Sequence, residues 1–159
     1  GSYGKEVRGL NRLHQFDKVE IVQICKPSES YQILDQMVQH ISELLKQLEL
    51  KFRIVKLCGG DLGFTSALTY DFEVYAPAQQ KWLEVSSVSN FETFQSNRLK
   101  LKFTNDENQN ILCHTLNGSS LALPRIIAAI LEQNQKKDKI LLPRILEKYL
   151  GFNEINISI

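Results

Sequence analysis

The stretch "TYDFEVYAPAQQKWLEVSSVS", residues 69–89, decides the fold. "TYDFEVYA" (69–76) and "KWLEVSSVS" (81–89) alternate apolar and polar side chains and are rich in β-branched and aromatic residues, which predicts two strands. The four residues "PAQQ" between them leave room only for a turn, so the strands form an antiparallel hairpin. On the first strand Asp71 and Glu73 share one face, and Phe72 and Val74 share the other. Glu84, Ser86 and the region of Ser89 are polar on the second. Carboxylates and hydroxyls gathered on one sheet face suit Mg²⁺, which takes a few protein oxygens and completes its shell with phosphates. A solvated sheet face accounts for the same pattern.

Further strands lie on both sides of this hairpin. "DKVEIVQIC" (17–25) and "KFRIVKL" (51–57) alternate in the same way, with "CGGDLGF" breaking the pattern after the second. Between them Tyr31, Leu34, Met37, Val38, Ile41, Leu44, Leu45 and Leu48 recur at helical spacing, which predicts an amphipathic helix with Ser28 or Ser30 as its N-cap. Downstream, "RLKLKFT" (98–104) and "NILCHTL" (110–116) flank the turn-rich "NDENQ" and predict a second hairpin. "NGSS" (117–120) reads as a polar loop running into the apolar helix "LALPRIIAAILE". A polar "QKKDK" break and a short Pro-started helix in "LPRILEKYLG" follow, and the opening "GSYGKEVRGLNR" reads as loop. Strand, helix, several antiparallel strands and helix in that order predict an α+β domain, a mainly antiparallel sheet flanked by helices.

The chain has 159 residues, enough for one domain with a sizeable core, and its net charge of +1 advertises no polyanion partner through a global field. Three widely spaced cysteines form no CxxC pair, so neither a zinc site nor a disulfide framework is indicated. With no signal-like or long apolar run, the expectation is a soluble cytoplasmic protein without membrane contact. His14, His40 and His114 lack ligand-like spacing, and His40 in the amphipathic helix and His114 at a strand end are expected to be packed or hydrogen-bonded. No GxSxG elbow or Cys–His pairing supports nucleophilic catalysis.

Two other clusters sit beside expected core. Phe16, Lys18 and Glu20 share one face of the first strand, where a ring can stack on a planar ligand and a carboxylate can hold an ammonium. An exposed face with one aromatic patch is the plainer alternative. Arg125 follows Pro124 in the first turn of a helix, where a cation is unfavourable unless an anion answers it. With Asn117, Gly118, Ser119 and Ser120 just before it, this guanidinium suits a phosphate; outward snorkelling onto a neighbouring carboxylate is the alternative.

Together the clusters resemble the seryl-tRNA synthetases. "GLNRLHQFDKVE" is similar to the second half of their motif 2, "TYDFEVYAPAQQKWLEVSSVSNFETFQSNRL" to their central active-site strands, and "HTLNGSSLALPRIIAAILEQNQ" to motif 3. The resemblance runs from Gly1 to about Tyr149 and implies a class II aminoacyl-tRNA synthetase catalytic core. It implies condensation of L-serine with ATP, with Mg²⁺, to seryl-adenylate, then transfer to tRNA(Ser) by a homodimeric enzyme.

Residue by residue, it implies that Phe16 stacks on adenine, with Leu13, His14 and Gln15 lining that segment, and that Arg12 approaches the outer phosphates. Glu84 and Ser87, within "EVSS", match contacts to Mg²⁺ and ATP, with Val85 and Ser86 between them. Glu20 matches the group that binds the serine ammonium, Asn117 and Ser119 those that read its side chain, and Arg125 the arginine on the ATP phosphate. Arg125, Arg12 and Glu84 are thereby the expected catalytic groups. The family's tRNA-binding arm, motif 1 and the arginine strand that opens motif 2 have no counterpart in these 159 residues. The expectation is therefore a C-terminal portion of the catalytic domain, inactive alone. A synthetase-like ligase that loads a carrier protein, or a non-catalytic binding module, are the competing readings.

Overall fold

A computed structural model of the chain describes Leu10 and residues 12–157. The expected loop over the first twelve residues therefore falls mostly outside the described residues. The architecture is a five-stranded, wholly antiparallel sheet in the order β1-β7-β4-β3-β2. Its strands are β1 (Lys18–Cys25), β2 (Phe52–Lys56), β3 (Leu68–Ala76), β4 (Lys81–Asn90) and β7 (His114–Ala122). Two short antiparallel pairs stand apart from it: β5 (Lys102–Thr104) with β6 (Asn110–Leu112), and β8 (Lys139–Leu141) with β9 (Glu154–Asn156).

Helix α1 (Ser30–Gln47) packs on β4 and β7, and α3 (Leu123–Asn134) packs chiefly on β3. Leu34, Met37, Ile41 and Leu45, spaced three or four apart, present one stripe to the sheet and are buried. Phe72 and Val74 of β3, Val88 of β4, Leu116 of β7 and Ile126, Ala129 and Ile130 of α3 close the core. Burying each such large side chain stabilises the fold by roughly 1.5–3 kcal/mol. The sheet face turned away from α1 and α3 is left to carry polar groups.

The expected α+β class and hairpin are what the structure contains, with several local corrections. Tyr31 is no part of the apolar stripe: it is exposed and donates its hydroxyl to Glu92 Oε1 at 2.7 Å. Neither Ser28 nor Ser30 caps α1, which follows a 3-10 turn at Pro27–Glu29 and has Glu29 at its N-cap position without a side-chain cap. Ser30 is buried and ties the helix start to the sheet instead, donating to Pro27 O and receiving a bond from Asn90 Nδ2 at 3.1 Å. His114 Nδ1 lies 2.8 Å from the same hydroxyl, so His114 is hydrogen-bonded as expected, whereas His40 is exposed.

The expected strand over 98–104 is half helix. Arg98 and Leu99 end α2 (Phe94–Leu99), and only Lys102–Thr104 pairs with β6. Lys100, in left-handed backbone at φ 55°, separates the two. The guanidinium of Arg98 folds back over the Phe94 ring, 3.5 Å from its centroid, which holds a short helix in a stretch that alternates like a strand. The "NGSS" loop is also absent. Residues 117–120 lie inside β7, a central strand between β1 and β4. A last helix, α4 (Arg144–Leu150), starts after Pro143 and ends at Gly151.

Candidate active site

A cleft of about 600 Å³ opens where β1, β4, β7 and the start of α3 meet. One wall is the segment before β1: Arg12, Leu13, His14 and Phe16, continued by Lys18 of β1. Phe16 is half exposed, so a ring face remains open to a ligand. The floor is Glu84, Val85 and Ser86 of β4 and Ser119 and Ala122 of β7; Pro124 and Arg125 of α3 close the far side.

Three consecutive β4 residues line the cleft because the strand bulges there. The pairing passes from Phe72↔Ser86 directly to Glu73↔Glu84, leaving Val85 without an opposite number. A bulge breaks the strict in-and-out alternation of a strand, which is why Glu84 and Ser86 do not simply share a polar face as the sequence suggested. Ser86 is buried and donates its hydroxyl to Ser119 O at 2.6 Å, so that hydroxyl serves the β4–β7 junction.

Arg125 reaches back from the first turn of α3 to β4 and donates from Nη1 to the backbone carbonyl of Glu84. Its charge also acts on the Glu84 carboxylate. It therefore leans across the cleft and does not snorkel outward. The dipole of α3 disfavours it there, and the Glu84 carbonyl and carboxylate offset that cost.

A second group adjoins the cleft through Ser119. Glu20 of β1 pairs across from Ser119 of β7, and Ser119 Oγ donates to Glu20 Oε2 at 3.2 Å. Lys18 Nζ stands 3.2 Å from the same oxygen, so this carboxylate already accepts one ammonium group. Asn117, two residues from Ser119 on the same strand face, donates from Nδ2 to Gln95 Oε1 at 3.1 Å. The structure thus brings Arg12, Leu13, His14, Phe16, Glu84, Val85, Ser86, Ser119 and Arg125 into the cleft lining. Glu20 and Asn117 extend it along β1 and β7, while Gln15 and Ser87 do not line it.

Ser87 belongs to a neighbouring acidic group. It pairs across from Asp71 of β3, and its hydroxyl hydrogen-bonds the Asp71 carboxylate. Asp71 Oδ1 is buried without a hydrogen-bond partner. Burial pushes the Asp71 carboxyl above its ordinary pKa, the Ser87 bond opposes this, and the charges of Glu73 and Asp61 add to it. Glu84 is exposed as a residue, but desolvation of its carboxyl end and the charge of Asp71 raise it too, against Arg125 and Lys18. A buried carboxylate oxygen without a partner, beside a second carboxylate and a serine hydroxyl, fits a hard divalent cation. Among the described residues no three His, Cys, Asp or Glu side chains form a complete metal cage, so such an ion would need phosphate or water for its remaining ligands. Gln95 was not singled out from sequence and Pro124 only as a helix start, whereas Asp71 was named among the sheet-face carboxylates suited to Mg²⁺ and Lys18 as sharing a face with Phe16 and Glu20; the irregular register between Lys18 and Glu20 is visible only in the fold.

The sequence profile of the tRNA synthetase class II core domain (G, H, P, S and T) matches residues 2–134. A serine–tRNA ligase of Methylacidiphilum infernorum is 55% identical over 150 residues, covering 94% of this chain and 36% of the relative. Among solved structures, seryl-tRNA synthetase from Pyrococcus horikoshii complexed with ATP superposes with a TM-score of 0.93 at 38% identity, covering 99% of this chain and 36% of that one. The cytoplasmic serine–tRNA ligase from Naegleria fowleri in complex with AMP gives 0.89 at 27% identity, covering 95% of this chain and 37% of its own. The chain spans a little over a third of the length of these relatives. Among the described residues no helix is long and apolar enough to cross a membrane.

Proposed function

The chain belongs to the tRNA synthetase class II core domain family, and from that premise we propose that it forms the C-terminal portion of the catalytic domain of a serine–tRNA ligase. The reaction is activation of L-serine by ATP followed by transfer of the seryl group to tRNA(Ser). A cytoplasmic homodimer accompanies this reading of the parent protein.

One observation carries the proposal. Ser119 lines the nucleotide-sized cleft and also donates to Glu20, so the place for ATP and the carboxylate for an ammonium meet at one residue. In this reading the adenine stacks on Phe16, between Leu13, His14 and Gln15. Arg125 and Arg12 meet the phosphates, Glu20 holds the serine ammonium, and Asn117 and Ser119 contact its side chain. The serine carboxylate attacks the α-phosphorus, the bond to the bridging oxygen breaks, and pyrophosphate leaves. The protein supplies no covalent group: Arg125 and Arg12 neutralise charge as it moves onto the leaving phosphates, and Glu20 fixes the attacking carboxylate in line. Glu84 and Ser87 would hold Mg²⁺, which supplies further positive charge to the phosphates when bound.

The test is charging by the intact parent protein with labelled serine. Label should become stable on tRNA(Ser) and be released by mild base, as expected for an ester to the ribose. Label on a carrier protein instead, with none on tRNA, would favour the carrier-loading ligase. No label on either, with ATP still bound, would favour a non-catalytic module.

A further inference from the structure

We propose that Gln95 sets the preference for a hydroxyl-bearing substrate side chain by holding the amide of Asn117 in one orientation; this rests on the serine reading above. Gln95 Oε1 accepts two hydrogen bonds, from Thr115 Oγ1 at 2.7 Å and from Asn117 Nδ2 at 3.1 Å. Both donors come from β7, two residues apart on one face, and Ser119 follows at the next position of that face. An amide oxygen only accepts, so in this arrangement both neighbours donate to it. The Asn117 amide is thereby committed through its NH₂ group, and its Oδ1 is the half not taken by Gln95.

That orientation has a chemical consequence. An acceptor offered to the substrate pairs with a hydroxyl proton. A methyl side chain leaves it unpaired, and a site built to hydrogen-bond a hydroxyl rejects analogues that lack it. An amide free to turn over would offer NH₂ or oxygen alike and read the side chain less sharply.

The placement of Gln95 is itself rigid. Helix α2 is only six residues long, but two backbone bonds clasp its start to β7: Phe91 N to Thr115 O at 2.9 Å and Thr115 N to Glu92 O at 3.1 Å. Thr115 and Ser96 are buried on either side of this junction. Gln95 therefore has a fixed base from which to reach Asn117. It acts through Asn117 and is a positioning residue.

The experiment uses the intact parent protein and compares wild type, Gln95→Leu and Gln95→Glu in serine- and alanine-dependent pyrophosphate exchange. Leucine removes the acceptor; glutamate keeps an acceptor for both donors. Gln95→Leu should raise KM for serine and lower the serine-to-alanine ratio of kcat/KM by on the order of 10–100-fold, with KM for ATP unchanged. Gln95→Glu should keep that ratio within a few-fold of wild type. A ratio unchanged in Gln95→Leu, or an equal loss for ATP and serine, would overturn the proposal. So would a loss in Gln95→Glu as large as in Gln95→Leu, since the acceptor is then not what matters. Wild type without serine-dependent exchange would instead defeat the serine reading and remove the premise.

Discussion

Arg125 and Glu84 join the first turn of α3 to the bulge of β4, the guanidinium donating to the Glu84 carbonyl while its charge pulls on the Glu84 carboxyl. The two residues are distant in sequence, yet they set the far side and the floor of one cleft. A cation at a helix start persists because it is answered, here by β4 and in the proposed complex by phosphate as well. In the intact parent, Arg125→Ala should lower pyrophosphate exchange by on the order of 10²–10³. Arg125→Lys should recover only part, because an ammonium lacks the planar fork that spans two oxygens. Full recovery in Arg125→Lys would show that charge alone suffices.

Asp71 and Glu84 give the fold an unusual acid dependence. Both carboxyls are raised in the folded state, mainly by desolvation. The native state therefore holds more protons than the unfolded chain between the ordinary and the raised pKa values. Their contribution to stability is fully present below the ordinary carboxylate pKa and is lost as pH rises through the raised values. Thermal unfolding of the chain should show this decline, and Asp71→Asn should flatten it and raise Tm near neutral pH. A Tm in Asp71→Asn that falls at neutral pH would contradict the assignment.

Gly118 permits the close approach of β7 to β4. A Cβ there would meet Val88 Cγ2 at 2.8 Å and Ser87 O at 3.1 Å. Gly118→Ala must push the strands apart or shift Val88 and should cost about 1–3 kcal/mol. Because Asn117 and Ser119 flank it, KM for serine should rise as well. An alanine variant of wild-type stability and KM would show that β4 yields freely.

Strand β1 stands at one end of the sheet order, and Val22 and Ile24 on it are more than half exposed. Among the described residues no strand pairs with its outer edge, and an unpaired strand edge favours pairing with another chain. The 159-residue chain should sediment as a concentration-dependent mixture, and Val22→Lys should shift it toward monomer. A strictly monomeric wild-type chain would show that the edge is already protected.

The sheet was legible in the sequence where faces alternate cleanly. "TYDFEVYA" places Phe72 and Val74 inward and gives β3 directly. Strand β7 was obscured by its composition: Asn117 and Ser119 are polar and Gly118 is small where Val88 packs, so "NGSS" carries loop chemistry inside a central strand. Helix α2 was hidden by the alternation of "RLKLKF", which Arg98 overrides by stacking on Phe94. Phe16, Glu20, Glu84 and Arg125 were legible as candidates through a resemblance that ties three distant stretches together, and the fold brings Phe16, Glu84 and Arg125 into one cleft lining. Asp71 was legible as one of the sheet-face carboxylates but its contact with Ser87 was not, and Gln95 meets Asn117 only because the fold brings α2 against β7.

The central claim is that an ATP cleft and a serine ammonium site meet at Ser119. It is tested most directly by pyrophosphate exchange into ATP, catalysed by the intact parent protein, with serine, alanine or no amino acid supplied. The account predicts exchange with serine, little with alanine and none without amino acid, and predicts that Glu20→Ala loses serine dependence far more than ATP binding. Equal exchange with alanine and serine, or a Glu20→Ala protein that still activates serine at the wild-type KM, would contradict it.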